Sequence, residues 1–145
     1  MTKLRTGDPW RPAAEYGRTL SGLTMNLVVR DIAQSLPFYG DVLGLQILYS
    51  DPDFAALEGP HDMRLMLHAD HTYESMPWAA RLQSGEPRGL GAEIRLLGLD
   101  PDAAERRARE LGAKVLLETS DHAHGWRSCL LEDPDGYVIA VGVPT

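Results

Sequence analysis

The sequence is poor in cysteine and in long apolar runs, and each shortage excludes a class of protein. Cys129 is the only cysteine of the 145-residue chain, so no disulfide forms within it, and we expect a reducing compartment, the cytoplasm. No apolar run reaches the length that spans a bilayer, and residues 1–20 lack the apolar segment of a secretory signal. We therefore expect no membrane partner.

Positive charge is the third shortage. The chain has 14 Lys and Arg residues against 21 Asp and Glu, which gives a formal net charge of −7 at pH 7. Lys3 and Lys114 are the only lysines. Nucleic acids and anionic membranes bind basic surfaces, so we expect no nucleic-acid partner. With 43% hydrophobic residues, a chain of this length is suited to one domain with an ordinary core.

The amino-terminal segment differs from the rest of the chain. Residues 1–21 mix proline, glycine and charge without periodicity, which predicts an extended arm. Trp10 and Tyr16 on this arm have two interpretations, packing on the body of the protein or packing on a partner chain. Residues 22–145 are predicted to form a single domain.

That domain contains the same pattern twice. Asp31 and Asp100 occupy equivalent helix N-cap positions, and Gly44 and Gly112 close the two helices. Each half predicts a strand, a helix and three strands, and Pro37 should kink or shorten the first helix. One half is too small for a good core, so the two should pack together. The units are module one at residues 22–69, a connector at 70–89, and module two at 90–145.

The predicted strands alternate apolar and polar residues or are short apolar runs. Between the last two strands, Asp133-Pro134-Asp135-Gly136 is typical of a tight hairpin, because proline presets the turn and glycine tolerates positive φ. The predicted strands are Leu23–Val29, Leu45–Ser50, Phe54–Glu58, Met63–Ala69, Gly91–Leu97, Lys114–Glu118, Trp126–Leu131 and Tyr137–Val143.

Two motifs, VVRDIAQSLPFYGDVLGL at residues 28–45 and LLEDPDGYVIAV at residues 130–141, carry a family resemblance. The chain resembles the vicinal oxygen chelate superfamily, which includes glyoxalase I, bleomycin-resistance proteins and extradiol dioxygenases. The resemblance implies an α+β fold in which two βαβββ modules form a cupped, mixed eight-stranded sheet around one cavity, here called the cup. It also implies a homodimer, since superfamily members complete or brace the cup across a two-fold interface.

In the metal enzymes of the superfamily, four strands each place one ligand in the cup. The resemblance maps these positions to Thr24, Met66, Glu93 and Ala140. A threonine hydroxyl is a poor ligand for first-row divalent ions, a thioether suits soft ions, and alanine offers no donor. A catalytic metal normally takes about three protein ligands. We therefore expect no metal and no other cofactor.

Strand alternation predicts which side chains face the cup. One face of each strand should lie under the helices and form the core, so the other face should line a small-molecule pocket with polar groups on an apolar floor. The predicted cup residues are Thr24, Asn26, Arg64, Met66, His68, Glu93, Arg95, Val138 and Ala140.

Glu93 is the only acidic residue of this set, and it has two interpretations. In the first, it is a general base or the anchor of a cationic ligand, which makes it the candidate catalytic residue. In the second, it forms a structural ion pair with Arg64 or Arg95.

Histidine side chains are a second set of candidate metal ligands. His68 and His71, and His122 and His124, form two close pairs, and imidazole is a common metal ligand. However, residues 121–125 are predicted to be a loop, where histidines are mostly solvated. His68 is the best candidate, because strand alternation points it into the cup.

Two further features have structural interpretations beside functional ones. Cys129 lies on a predicted strand without a histidine at a fixed spacing, so we predict a small core residue and not a nucleophile. The connector carries Tyr73, Met76 and Trp78, which could cover a flat ligand. Alternatively, Trp78 anchors a short helix.

Two functions from different classes follow. The first is a metal-free protein that binds a small organic molecule in its cup and sequesters it, as bleomycin-resistance proteins do. The alternative is an enzyme, a glyoxalase-like lyase or isomerase or a relative of the dioxygenases, that uses Glu93 as a base or a rewired metal site. The sequence constrains the size and polarity of the ligand, not its identity.

Overall fold

Eight strands form two four-stranded sheets, one for each predicted module. A computed structural model describes residues 2–145, and Met1 of the predicted arm lies outside the described residues. The sheet orders are β1-β4-β3-β2 and β5-β8-β7-β6. β1 pairs in parallel with β4, and β5 in parallel with β8. The strands are β1 (Met25–Val29), β2 (Gln46–Ser50), β3 (Phe54–Gly59), β4 (Met63–Ala69), β5 (Glu93–Leu97), β6 (Lys114–Asp121), β7 (Trp126–Glu132) and β8 (Val138–Pro144).

The predicted helices start at the predicted caps. Helix α2 spans Ile32–Leu36 and α3 spans Pro101–Leu111, whereas α1, at Ala13–Gly17 in the arm, was not predicted. The carboxylate of Asp31 accepts a hydrogen bond from the Gln34 N–H at 2.9 Å, and that of Asp100 accepts one from the Ala103 N–H at 3.2 Å. These bonds satisfy amide groups that lack a partner in the first helical turn. The α+β fold of two βαβββ modules is confirmed.

Pro37 changes the helix in the way the sequence predicts. The α-helical pattern of α2 ends at Leu36, and a wider π-helical segment continues over Pro37–Val42. Proline has no N–H to donate back along the helix, so the regular ladder is interrupted there. The Leu43 N–H bonds the carbonyl of Phe38 at 3.0 Å, five residues back. The wider turn carries Tyr39 into the core.

One continuous core receives side chains from both sheets and from the helices. Its strand residues alternate as predicted, which confirms the assignment of the faces: they include Leu27, Leu65, Leu67, Leu96, Cys129, Ile139 and Val141. Two leucines at the ends of predicted elements are exposed and lie outside this core. Leu111 is 53% exposed at the end of α3, and Leu23 is 95% exposed because β1 begins two residues later, at Met25.

Side chains of the two modules bond across their boundary. The Tyr39 hydroxyl donates to the buried Asp133 carboxylate at 2.7 Å. The Tyr137 hydroxyl donates to the carbonyl of Val28 at 2.9 Å, and Arg107 Nε donates to the carbonyl of Val42 at 2.9 Å. The modules are therefore joined by polar contacts as well as by the shared core.

The predicted Asp133–Gly136 hairpin has the expected internal bonds. Asp133 Oδ1 accepts the N–H groups of Asp135 and Tyr137 at 2.9 and 2.8 Å. Gly136 has φ +99°, and a Cβ there would lie 2.6 Å from Pro87 of the connector. Glycine is thus required by both the backbone conformation and the packing.

The arm packs across module one, which is the first of its two interpretations, and it contains the short helix α1 that the sequence did not predict. The ring of Trp10 stacks on Tyr49 with 5.5 Å between centroids and 10° between planes. The ring of Tyr16, on α1, meets Phe54 edge-on at 5.9 Å. Both aromatic residues therefore have partners in their own chain, so they give no support to a dimer.

Among residues 2–145, none of the helices is both long and apolar enough to cross a membrane.

Candidate functional site

A cavity of about 240 Å³ lies between the arm and the open face of the first sheet. Trp10 and Tyr16 of the arm form one wall, and Tyr49 and Phe54 of β2 and β3 form another. His68 and Met66 of β4 also line the cavity. Alternation along β4 places these two on this face, because Leu65 and Leu67 point into the core. The lining therefore combines four aromatic rings and an imidazole with charged side chains of the arm.

Asp53 holds the arm over this cavity. Its fully buried carboxylate accepts the N–H of Leu4 at 2.7 Å, the N–H of Arg5 at 3.4 Å and His71 Nε2 at 2.7 Å. Burial raises the pKa of the Asp53 carboxyl, but these bonds outweigh it and lower the pKa overall. The carboxylate is therefore charged at neutral pH, and charged acceptors make the stronger hydrogen bonds.

A polar chain extends from the cavity into the connector. His68 Nδ1 lies 2.6 Å from Asn26 Oδ1, and Asn26 Nδ2 donates to the Tyr73 hydroxyl at 2.6 Å. Because an amide oxygen only accepts, Nδ1 of His68 carries the proton in this arrangement. The imidazole also contacts the rings of Phe54 and Tyr73, with centroids 4.9 and 5.3 Å away.

His68 is neutral at physiological pH. Burial, and secondarily the positive charge of Lys3, lower the pKa of His68 from 6.5 to about 4. An apolar, aromatic surrounding disfavours the charged imidazolium. His68 therefore presents a hydrogen-bonding nitrogen and not a charge.

The connector contributes Tyr73 to this network. Trp78 packs on Tyr73 at 5.6 Å, is 38% exposed, and precedes a short 3₁₀ helix at Ala79–Gln83. Trp78 does not line the cavity. The position of Trp78 fits its interpretation as the anchor of a short helix. The arm, and not the connector, covers the cavity.

The open face of the second sheet forms a separate, wider depression. Glu93, Arg95 and Ala140 line it together with Trp126 of β7. Glu93 Oε1 lies 3.7 Å from Arg95 Nε on the same strand, and both side chains are about half exposed, at 48% and 49%. The rings of His122 and His124 stack at 5.2 Å and line the same depression, on the turn after β6.

The structure thus divides the predicted cup residues between two places. Met66 and His68, with Asn26 bonded to His68, belong to the module-one cavity. Arg64 reaches the arm, where it donates to the Thr19 hydroxyl at 3.3 Å. Thr24 precedes β1 and is half-buried, outside both linings. Glu93, Arg95, Val138 and Ala140 lie on the second sheet.

Strand pairing shows which residues of the two modules are equivalent. Asn26 pairs with Met66 across β1 and β4, and Arg95 pairs with Ala140 across β5 and β8. Met66 and Ala140 therefore occupy the same place in the repeat. Two residues further along each strand, His68 corresponds to Gly142. Module one alone carries an imidazole at this position.

The residues at the family's metal positions do not fit a metal. Thr24, Met66, Glu93 and Ala140 offer one carboxylate, one hydroxyl and one thioether, divided between the two modules. Across residues 2–145, no group of three or more His, Cys, Asp or Glu side chains is placed to hold an ion.

Two residues that hold segments around the site in place, Asp53 and Arg88, were not identified from the sequence. Asp53 was missed because its role depends on the arm folding back, although the Asp51-Pro52-Asp53 turn marks the position. Arg88 is buried, and its guanidinium donates to both Asp70 oxygens at 2.6 and 2.7 Å and to the Val28 carbonyl at 3.0 Å. No local pattern indicates that an arginine beside a glycine will be buried. Cys129, in contrast, is a buried thiol as predicted.

Comparison with known proteins decides the family. The family model of the Glyoxalase/Bleomycin resistance protein/Dioxygenase superfamily matches residues 22–141. The chain belongs to this superfamily. No curated protein matches the chain.

Solved structures from several bacteria share the fold. A glyoxalase/bleomycin resistance protein/dioxygenase family enzyme from Burkholderia phytofirmans PsJN is similar at 22% identity, 84% coverage of this chain, 97% coverage of its own and a TM-score of 0.67. A protein of unknown function from Agrobacterium tumefaciens str. C58 is similar at 25% identity, with 87% and 95% coverage and a TM-score of 0.66. A family member from Nocardioides is similar at 22% identity, with 90% and 91% coverage and a TM-score of 0.62.

Proposed function

We propose that this protein binds a small, flat organic molecule in the module-one cavity without a metal, and sequesters it without turnover. The observation that carries the proposal is the aromatic lining under the arm, formed by Trp10, Tyr16, Tyr49 and Phe54 beside His68. Small-molecule sites are typically apolar and aromatic with a few placed polar groups. The His68–Asn26–Tyr73 chain supplies those polar groups.

The enzyme alternative has less support. A general base needs a position beside its substrate, usually in a site that excludes water. Glu93 is half exposed on the second sheet and lies next to Arg95. We therefore place the ligand in module one, and Glu93→Gln tests the alternative directly.

The test is a binding screen of small aromatic compounds, measured by calorimetry before and after dialysis against a chelator. We expect binding that survives the chelator, and elemental analysis with less than a tenth of an equivalent of divalent metal, since a structural site would survive dilution. Mass spectrometry should recover the ligand unchanged. About one equivalent of bound metal, or conversion of the ligand, would overturn the metal-free, non-catalytic part of the proposal.

A matched pair of variants locates the site. Trp10→Ala removes a wall of the module-one cavity, and Trp126→Ala removes an aromatic residue from the second sheet's depression. Aromatic side chains bury a large area against a ligand and contribute much of its binding energy. We expect Trp10→Ala to weaken binding and Trp126→Ala to leave it unchanged. The reverse pattern would place the ligand in module two.

The superfamily resemblance also leads us to propose a homodimer, located in the cytoplasm. In a dimer, the open depression of the second sheet would be covered by a second copy. Two exposed leucines of β6, Leu116 at 40% and Leu117 at 45%, support burial of this region against a partner.

A further inference from the structure

Size gives the first constraint on the ligand of the module-one cavity. A cavity of about 150 Å³ in a protein core accepts benzene. The cavity under the arm has about 240 Å³, so it accommodates one substituted ring or two fused rings. The stacked pair of Trp10 and Tyr49 and the tilted ring of Phe54 favour a flat molecule.

His68 gives the second constraint. Its Nδ1–H is directed at Asn26 Oδ1, which is fixed because Asn26 Nδ2 donates to Tyr73. The neutral imidazole therefore keeps a lone pair on Nε2, and among residues 2–145 only Nδ1 of this ring is engaged. A ligand facing Nε2 must bring an O–H or N–H donor, because an unmatched buried acceptor costs binding energy.

The arm gives the third constraint, a cationic rim formed by Lys3, Arg5 and Arg11. Arg11 is paired with Glu15 at 2.6 Å, and Arg5 lies 3.8 Å from Asp53. The Arg5 Nε–H is buried and lacks an acceptor within the described chain. The ion pairs of residues 2–145 do not include Lys3.

Asp51 also lines the cavity and brings a negative charge to it. Asp51 is already engaged, since it accepts the Tyr49 hydroxyl at 2.6 Å and the N–H groups of Asp53 and Phe54 at 2.7 and 2.8 Å. The three cations of the rim are matched by three carboxylates, those of Asp51, Asp53 and Glu15. An anion is therefore attracted not by net charge but by two specific groups, the Lys3 ammonium, which has no ion pair within residues 2–145, and the unmatched Arg5 Nε–H.

We infer that the cavity binds a one- or two-ring aromatic acid that also carries an O–H or N–H donor, with the donor on His68 Nε2 and the anionic group at Lys3 and Arg5. This inference rests on the proposed binding function and names the ligand class. Hydroxybenzoates and hydroxynaphthoates represent the class.

The experiment measures dissociation constants by calorimetry for three sets of compounds. The first set is the isomeric hydroxybenzoates and hydroxynaphthoates, the second their methoxy counterparts, and the third the same rings without the carboxylate. We expect the best hydroxy acid to bind roughly tenfold tighter than its methoxy counterpart and tighter than the uncharged ring by a similar factor, the size of one good hydrogen bond or charge contact.

Variants assign each preference to its residue. His68→Phe keeps a flat ring and removes the acceptor, so it should abolish the preference for hydroxy over methoxy acids. Lys3→Gln should weaken all acids and leave that preference intact. His124→Phe, on the second sheet's turn, is the matched control and should change neither. Nitrogen NMR shifts of the His68 ring should show the proton on Nδ1.

The outcomes separate the two proposals. If uncharged or methoxy compounds bind as well as the hydroxy acids, or if the His68 proton is on Nε2, the ligand class is wrong while the binding function stands. If aromatic compounds of every set fail to bind, the proposed function itself is wrong.

Discussion

At the scale of single residues, His68 differs from an ordinary surface histidine, because its imidazole lies against the rings of Phe54 and Tyr73. Its folded pKa of about 4 lies below the ordinary 6.5, so the folded state favours the neutral ring. Above pH 6.5 the ring is neutral in both the folded and the unfolded state, so its titration does not lower the free energy of unfolding. As the pH falls from 6.5 towards 4, the unfolded chain takes up a proton first, and stability is lost.

The first prediction follows from this difference. Between pH 7 and pH 4.5, His68 should account for a loss of about 2 kcal/mol in the free energy of unfolding, after allowance for solvent screening. His68→Phe should therefore show a correspondingly smaller loss over this range in urea denaturation. His124→Phe, which is exposed, should follow the wild-type chain. Parallel curves for all three proteins would contradict the burial of His68.

Glu93 provides the second prediction. Its ion pair with Arg95 is exposed, and exposed pairs contribute at most about 1 kcal/mol. Glu93→Gln should therefore leave both the thermal unfolding temperature and the ligand affinity nearly unchanged, by differential scanning fluorimetry and calorimetry. A fall of tenfold or more in affinity would restore Glu93 as the ligand anchor predicted from the sequence.

At the scale of elements, the arm depends on Asp53. Asp53→Asn keeps the shape but removes the charge that accepts the Leu4 and Arg5 N–H groups. We expect the arm to open more often, so that trypsin cleaves after Arg5 and Arg18 roughly tenfold faster, as for a loss of about 1.4 kcal/mol in local stability.

The control for the arm is Asp102→Asn. This change breaks an exposed pair with Arg127 at 2.6 Å on the second module, far along the chain from the cleavage sites. Its trypsin cleavage rate should match that of the wild-type chain. Equal rates for both variants would show that Asp53 does not hold the arm.

The strands and helices were largely predictable, because their signals are local. The alternation of side chains predicted which faces of β4 and β8 lie in the core. The N-cap residues predicted where α2 and α3 begin, and Pro37 predicted where the regular helix ends. The short helix α1 was not predicted. For the arm, the sequence left open whether Trp10 and Tyr16 pack on the body or on a partner chain, and the structure shows contacts with β2 and β3 of the body. Such contacts between distant segments leave no periodic signal in the arm itself.

The candidate site was predictable only in part for the same reason. Met66 and His68 were placed by alternation along β4. Their separation from Glu93 and Ala140 depends on how the two modules pack, which strand alternation does not specify. The Asn26–Tyr73 bond joins a strand to the connector, and no spacing rule predicts it.

At the scale of the whole molecule, the fourth prediction is a dimer. Light scattering at micromolar concentration should give twice the mass of the 16.0 kDa chain, because the open face of the second sheet would be covered in a dimer. Replacing Leu116 and Leu117 with polar residues should lower the measured mass if β6 lies in the interface. A monomeric mass for the unaltered chain would contradict the prediction.

The position of the arm also affects how relatives should be compared. The superfamily match covers residues 22–141, whereas Lys3, Trp10 and Tyr16, which line the cavity, precede it. Under the proposed function, two homologues that agree throughout the matched region can therefore still differ in the compounds that they bind. Classification by specificity has to include the first 21 positions, and grafting this segment onto another scaffold of the superfamily is a route to transferring selectivity.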